Sequence, residues 1–180
     1  RLNTLPPGFS AENYLGHSEP LVRREAVRLL LREESAREKA IMSALADADD
    51  RVVFAGLTAA QEKCPRAAIE LIKERVDRGE LDSQLRTMGI RIVAHQRTSD
   101  ALEWLLGFVV TEAHWPRRLK LRQPTPEMLA ALGVVVSGWR NHPGAATVLR
   151  LAEQSKVAEV RAKLAHGHAA TSERTPSNNE

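Results

Sequence analysis

A chain of 180 residues with 43% hydrophobic and 27% charged side chains has the composition of a folded domain with a buried core. Its single cysteine excludes an internal disulfide and a thiolate metal site. The longest apolar run, residues 128–136, is far shorter than the roughly 20 residues that span a bilayer. We therefore expect a cytoplasmic protein with no transmembrane segment. Residues 113–180 carry 10 Lys/Arg and 5 Asp/Glu, so the positive charge lies in the C-terminal part.

The N-terminal third of the chain predicts short amphipathic helices. Residues 1–8 contain two prolines and a glycine, which favour an extended lead-in. A short helix over 10–16 comes next. Pro20 suits the first turn of a longer helix that Ser18 can cap. Another helix begins near Ser35, whose spacing to Glu38 fits a capping box.

A stretch of sequence recurs after thirty residues, which is typical of a helical repeat protein. The residue pairs that match under this shift are Leu15 and Leu45, Val22 and Val52, Ala26 and Gly56, and Val27 and Leu57. A third copy aligns Leu85 with Val22 and Gly89 with Ala26 after a longer unit. Small residues at Ala26, Gly56, Gly89 and Gly133 predict points where neighbouring helices approach closely.

Further helices follow at regular intervals. Asp49 and Asp50 open one helix, and the spacing of these acids does not fit a calcium loop. A helix over 100–111 has Thr98 or Ser99 as its cap, and Thr125 with Pro126 begins the next. Two more helices start at His142 and near residue 156. The polar residues 166–180 predict a disordered tail.

The proline-bounded segment 113–124 interrupts the repeat with four cations and no acid. One interpretation is a packed loop in which Trp115 and the leucines face inward while the cations face water. A second is an extended strand that pairs with the edge of a protein partner. A third is a nucleic-acid site, with cations on phosphates and Trp115 stacked on a base. The candidate residues are Trp115, Arg117, Arg118, Lys120 and Arg122.

The acidic turn followed by Val-Arg and a small residue resembles the HEAT repeat, in its short bacterial form named after the bilin lyases. The residues that carry the resemblance are 18–23 with Ala26, and 49–52 with Gly56. The resemblance implies an all-α superhelix of about ten helices in about five antiparallel pairs over residues 9–165, with the basic insertion near 113–124. Such repeats serve many functions, so the resemblance implies a fold rather than an activity.

No hydrolase, zinc-protease, P-loop or dinucleotide motif is present in the sequence. His166 and His168 lack a third metal ligand, and His17 fits a capping role better than catalysis. We therefore expect a non-enzymatic scaffold or adaptor that binds another protein without a cofactor or metal, within a larger complex. Arg24, Arg28 and Arg37 are further candidate contacts. The alternatives are a nucleic-acid-binding solenoid using the basic C-terminal part, and a lyase-like or glycosylase-like enzyme.

Overall fold

The structure is a computed structural model that describes residues 8–113 and 118–172, with side chains for 8–112 and 119–165. The described chain is mostly helical, as predicted. A 3₁₀-helix, Ala11–Tyr14, comes first. The nine α-helices of the described residues are α1 Pro20–Leu30, α2 Glu34–Leu45, α3 Asp50–Glu62, α4 Arg66–Asp77, α5 Ser83–Ala94, α6 Ser99–Val109, α7 Pro126–Gly138, α8 Pro143–Glu153 and α9 Ala158–Ser172. Two short strands, β1 Val110–Ala113 and β2 Arg118–Leu121, lie between α6 and α7.

The chain forms two compact units, Arg1–Leu85 and Arg86–Glu180. In the first unit, α1 packs against α2 and α3, while α2 packs against α3 and α4. Each of the first two helices therefore contacts its successor and also the helix after that. The apolar side chains at the centre of this unit are Val27, Leu30, Ile41, Leu45, Val52, Val53, Leu57, Ile69 and Ile72, all buried. Burial of this apolar surface is the main force that holds the helices together.

Gly56 marks a point of close helix approach, as its place in the repeat predicted. A methyl group added there would lie 2.8 Å from the Cβ of Ala44 and 3.3 Å from the backbone nitrogen of Leu45. Since α2 lies directly against this glycine, no larger side chain fits without moving backbone. The prediction does not hold at Gly133, where an added methyl would meet only the side chain of Lys163 at 3.8 Å.

The turn between α2 and α3 is held by Arg23 of α1. The Arg23 guanidinium donates two hydrogen bonds of 2.7 Å to the carboxylate of Asp47. It also donates to the carbonyl oxygens of His17 and Ser18. Asp47 in turn accepts the backbone N–H of Asp49, and its side chain is only 8% exposed. One guanidinium thus joins the turn before α1 to the turn before α3, which fixes the two helices at one end.

Acid should destabilise the first unit through Asp47. Hydrogen bonds from Arg23 hold the pKa of this carboxyl below its ordinary value, against the opposing effect of burial. A lowered folded-state pKa gives stability that is complete above the unfolded pKa, near 4, and lost as the pH falls through the folded pKa. We expect the free energy of urea unfolding to fall below about pH 4, and to fall less in Asp47→Asn. An identical acid dependence of the two proteins would contradict this role.

In the second unit, α6 packs against α7 and α8, and α9 packs against α7 and α8. The buried apolar side chains here come from all four helices: Leu102, Leu105, Val109, Met128, Leu132, Val135, Val136, Val148, Leu149, Val160 and Leu164. An ion pair of 2.8 Å joins Arg86 to the carboxylate of Glu127. Because Glu127 is almost fully buried at the start of α7, this pairing is needed to offset the loss of its hydration.

Segment 113–124 contributes to a hairpin inside the chain. β1 and β2 pair antiparallel, with Val110 opposite Leu121 and Thr111 opposite Lys120. The extended-strand interpretation is confirmed for 118–121, where one edge of the strand bonds β1, and pairing with a protein partner stays a prediction. The packed-loop interpretation is wrong for Leu119, whose side chain is 40% exposed. Residues 114–117 lie outside the described part of the chain.

Several helix boundaries differ from the predictions. Thr98 and Thr125 cap α6 and α7 as expected. Ser35 does not cap α2, because that helix begins one residue earlier, at Glu34. Ser18 is not the cap of α1. The residue before Pro20 is Glu19, and its backbone N–H donates to the Nδ1 atom of the His17 ring. The α9 helix continues to Ser172 through an alanine-rich stretch, so the predicted tail is helical as far as that residue. Of the predicted lead-in, only Gly8 is described.

Candidate partner-binding groove

A groove of about 710 Å³ lies on the first unit, between α1 and α3. It is open to solvent, and the start of α5 completes one end. Its lining combines five arginines with three carboxylates and a small apolar surface. The lining residues are Arg24, Arg28, Leu31, Arg32, Arg37, Asp50, Arg51, Phe54, Ala55, Thr58, Ala59, Glu62, Asp82, Gln84 and Leu85. Two of the predicted contact residues, Arg24 and Arg28, form its α1 wall.

The α1 wall of the groove is cationic. Arg24 and Arg28 lie one helical turn apart, and Arg32 follows just beyond the end of the helix. Both helical arginines share one carboxylate, that of Glu25, at 2.9 and 3.3 Å. This sharing, with Arg24 foremost, lowers the pKa of Glu25. No ion pair to Arg32 is found in the described part of the chain. Arg24, Arg28 and Arg32 thus carry three positive charges, and Glu25 neutralises part of them, which leaves this wall with a surplus of positive charge.

The α3 wall carries an exposed aromatic ring. Phe54 is 45% exposed, which is unusual for a phenylalanine on a helix whose opposite face is buried. Thr58 lies one turn further along and donates its hydroxyl to the Phe54 carbonyl oxygen at 2.8 Å. The threonine hydroxyl is therefore satisfied within the helix. The ring of Phe54 remains available as an apolar contact beside the arginines.

Arg37 lines the groove, but its guanidinium donates its hydrogen bonds to other groups of the fold. Its guanidinium donates to the carbonyl oxygen of Ala59 at 3.2 Å and to the carboxylate of Glu62 at 2.7 Å. A longer bond of 3.4 Å reaches the carbonyl oxygen of Leu31. These contacts tie α2 to the end of α3 and to the turn after α1. Arg37, predicted as a partner contact, therefore helps to hold the two walls of the groove in place.

Arg51 and Asp82, two further polar residues of the groove, have partners within the fold. Arg51 pairs with the Asp49 carboxylate at 2.8 Å, and this contact lowers the pKa of Asp49 to about 2. Asp82 accepts the backbone N–H of Leu85 at 2.7 Å and so caps the start of α5. Negative groups are thus spread along the α3 side and the end of the groove, opposite the cationic wall.

Of the predicted contacts in the basic segment, Lys120 and Arg122 belong to the second unit. Trp115 and Arg117 lie outside the described residues, as does the side chain of Arg118. Lys120 is exposed on β2. Arg122 donates from its Nε to the carbonyl oxygen of Val110 at 3.1 Å, which stabilises the hairpin itself.

Sequence reasoning missed Phe54, although the repeat contained a signal for it. Under the thirty-residue shift, Arg24, Arg28 and Arg32 align with Phe54, Thr58 and Glu62. All six residues line the groove. Equivalent positions of α1 and α3 therefore face the same cleft. Applying the shift to exposed positions as well as to the core would have identified the α3 wall.

The described residues contain no group of three His, Cys, Asp or Glu side chains that could hold a metal ion. Burial raises the pKa of the Cys64 thiol to about 11, which disfavours the reactive thiolate. None of the described helices combines the length and apolar character needed to cross a membrane. The chemistry that the groove supports is ion pairing, hydrogen bonding and apolar contact with a bound molecule. No family model, curated protein or solved structure matches this chain.

Proposed function

We propose that this chain is a non-enzymatic protein-interaction module of the HEAT-like superhelical kind, acting in the cytoplasm, and that its partner docks in the α1–α3 groove. The observation that carries the proposal is the exposed ring of Phe54 beside the arginines of α1 in one open cleft. Aromatic residues, phenylalanine among them, and arginine are enriched at protein interfaces relative to the rest of the surface. The packing of α1 on α3 and of α2 on α4 fits the stacking expected of such repeats.

The geometry also supports a binding mechanism in which the groove is already formed before the partner binds. Arg23, Arg37 and Gly56 hold α1, α2 and α3 in fixed positions through buried or partly buried contacts. The walls of the groove are therefore preorganised, which lowers the entropy cost of binding. Phe54 supplies an apolar anchor, and the arginine wall supplies orientation and specificity.

Replacing Phe54 by alanine should leave the fold almost unchanged and weaken partner binding about tenfold or more. The ring is half exposed, so its loss removes little buried surface from the core. Affinity-tagged wild type and Phe54→Ala should be compared for the proteins that they retain from a lysate of the host after nuclease treatment. The matched control is Val157→Ala, which removes an exposed apolar side chain from the second unit.

Retention that is equal for wild type and Phe54→Ala would contradict the groove as the binding site. A salt titration separates the nucleic-acid alternative. A protein partner should survive moderate salt. Four phosphate contacts on duplex DNA should give a slope of log affinity against log salt of about −3.6. Such a slope, with loss of binding after nuclease treatment, would favour the basic segment 113–124 instead.

A further inference from the structure

We propose that the ligand of the α1–α3 groove is an extended acidic peptide segment, with carboxylates at alternate positions that pair with Arg24, Arg28 and Arg32, and apolar side chains between them that contact Phe54. This inference rests on the proposed protein-binding function and adds the chemistry of the partner. It is carried by the charge of the α1 wall, by the spacing of its arginines and by the position of the exposed ring.

The charge of the wall selects an anion. Glu25 is the one carboxylate paired with Arg24 and Arg28 in the described residues, and it contacts them through a single oxygen, Oε1. Each guanidinium has five N–H donors, so most donors of both remain open to a ligand. Arg28 has a side chain that is 62% exposed, and it is accessible from the groove. A carboxylate placed here would gain charge-assisted hydrogen bonds without displacing Glu25.

The spacing of the wall selects an extended chain. Residues four apart on an α-helix are separated by about 6 Å along its axis. Alternate side chains of an extended strand are about 6.6 Å apart and point to the same side. Acidic side chains at every second position can therefore follow Arg24 and Arg28 of α1 in register, and Arg32 comes next, just beyond the end of the helix. The intervening side chains then point the other way, toward α3 and the ring of Phe54.

The carboxylates of the groove disfavour a nucleic acid. Asp50, Glu62 and Asp82 line the same cleft as the arginines. A continuous phosphate backbone would bring negative charge close to them along the whole groove, and this repulsion opposes binding. A peptide carries negative charge only at its acidic side chains. Its backbone N–H groups can donate hydrogen bonds to the carboxylates of the groove. The mixed lining thus fits a protein segment better than a polyphosphate.

The probe for this proposal is a fluorescein-labelled dodecapeptide of alternating Glu and Val, titrated with the full chain and followed by fluorescence anisotropy at low salt. A peptide of alternating Gln and Val tests the need for charge. A single-stranded oligonucleotide of the same net charge tests the nucleic-acid alternative. We expect the Glu–Val peptide to bind the most tightly of the three, with an affinity that falls as salt screens the arginines.

The variant for the test is Arg28→Gln/Arg32→Gln, which removes two exposed charges from the α1 wall. Its control, Arg91→Gln/Arg161→Gln, removes two exposed arginines from outside the groove, so the net charge of the two proteins is equal. We expect the groove variant to weaken peptide binding about tenfold and the control to change it less than about twofold. Thermal unfolding followed by circular dichroism checks that both variants fold.

Equal affinity for the Glu–Val and Gln–Val peptides would overturn the proposal, as would equal effects of the two variants. Tighter binding of the oligonucleotide with the same sensitivity to Arg28→Gln/Arg32→Gln would assign the groove to nucleic acid. If any of these results appears while the capture of proteins from a lysate still depends on Phe54, the acidic ligand is wrong but the protein-binding function stands. Loss of the Phe54 dependence as well would remove both.

Discussion

Replacing Asp47 by alanine is expected to lower the free energy of unfolding by about 3 kcal/mol. The carboxylate is nearly buried and accepts two hydrogen bonds from Arg23 and one from the N–H of Asp49. Its removal leaves the Nε–H and one Nη–H group of Arg23, and the backbone N–H of Asp49 before α3, without their acceptor. Because single domains are stable by only about 5–15 kcal/mol, such a loss is a large part of the total. Urea denaturation followed by far-ultraviolet circular dichroism measures it.

A control for this prediction is Glu70→Ala. Glu70 also pairs with a cation, Lys73 at 3.2 Å, but its side chain is 75% exposed on α4. Exposed ion pairs contribute little, so this change should cost less than about 0.5 kcal/mol. Arg23→Lys adds a second comparison, since lysine keeps the charge but cannot form the two parallel bonds to Asp47. Equal stabilities of Asp47→Ala and Glu70→Ala would show that the Arg23 contact does not fix the turn.

Replacing Gly56 by valine should also lower the free energy of unfolding by about 3 kcal/mol, and Gly56→Ala by about 1 kcal/mol. The alanine change gains helix propensity but places a methyl group 2.8 Å from the Cβ of Ala44. The next atoms in its way belong to the backbone of α2, which cannot move without shifting the helix. Relative to alanine, valine adds two methyl groups, and it gains less helix propensity over glycine than alanine does. Thermal and urea unfolding of both variants test the order.

Two controls separate close packing from the properties of glycine itself. Gly107 lies within α6, and an added methyl there would contact nothing within 4 Å. Gly107→Ala should therefore stabilise the protein by about 0.5–1 kcal/mol. The double variant Gly56→Ala/Ala44→Gly moves the methyl group to the opposite helix and should recover part of the loss caused by Gly56→Ala. Stabilisation by Gly56→Ala equal to that by Gly107→Ala would refute the close approach of α2 and α3.

The sequence predicted the helices well wherever apolar periodicity and capping signals agreed. Thr98 and Thr125 mark their helix starts because a hydroxyl there accepts a free backbone N–H. The prediction that Ser35 caps α2 was wrong because a capping box is a local pattern, and the residues on both sides of Ser35 also favour helix. An extended strand was one interpretation of segment 113–124, but β1 could not be predicted, since the apolar pattern of α6 continues through Val109 and Val110 without a break. The helix ends at Val109, and Val110 is extended and pairs with Leu121 of β2.

The candidate site was less predictable than the fold. Arg24 and Arg28 were named as contacts, and the structure places both on the groove wall. The role of Arg37 in joining α2 to α3 depends on the carbonyl oxygen of Ala59, a long-range neighbour that sequence spacing does not reveal. Phe54 appeared to be one more apolar residue in a helical repeat. Its exposure follows from the packing of α3, which the periodicity alone does not determine.

The most direct test of the groove as the binding surface is a titration of isotope-labelled protein with the Glu–Val dodecapeptide, followed by nuclear magnetic resonance of backbone amides and arginine Nε–H groups. We predict shifts concentrated in α1 and α3, including the side-chain signals of Arg24, Arg28 and Arg32 and the amide of Phe54. Shifts confined to residues 110–122, with α1 and α3 unchanged, would contradict this assignment and place binding at the hairpin.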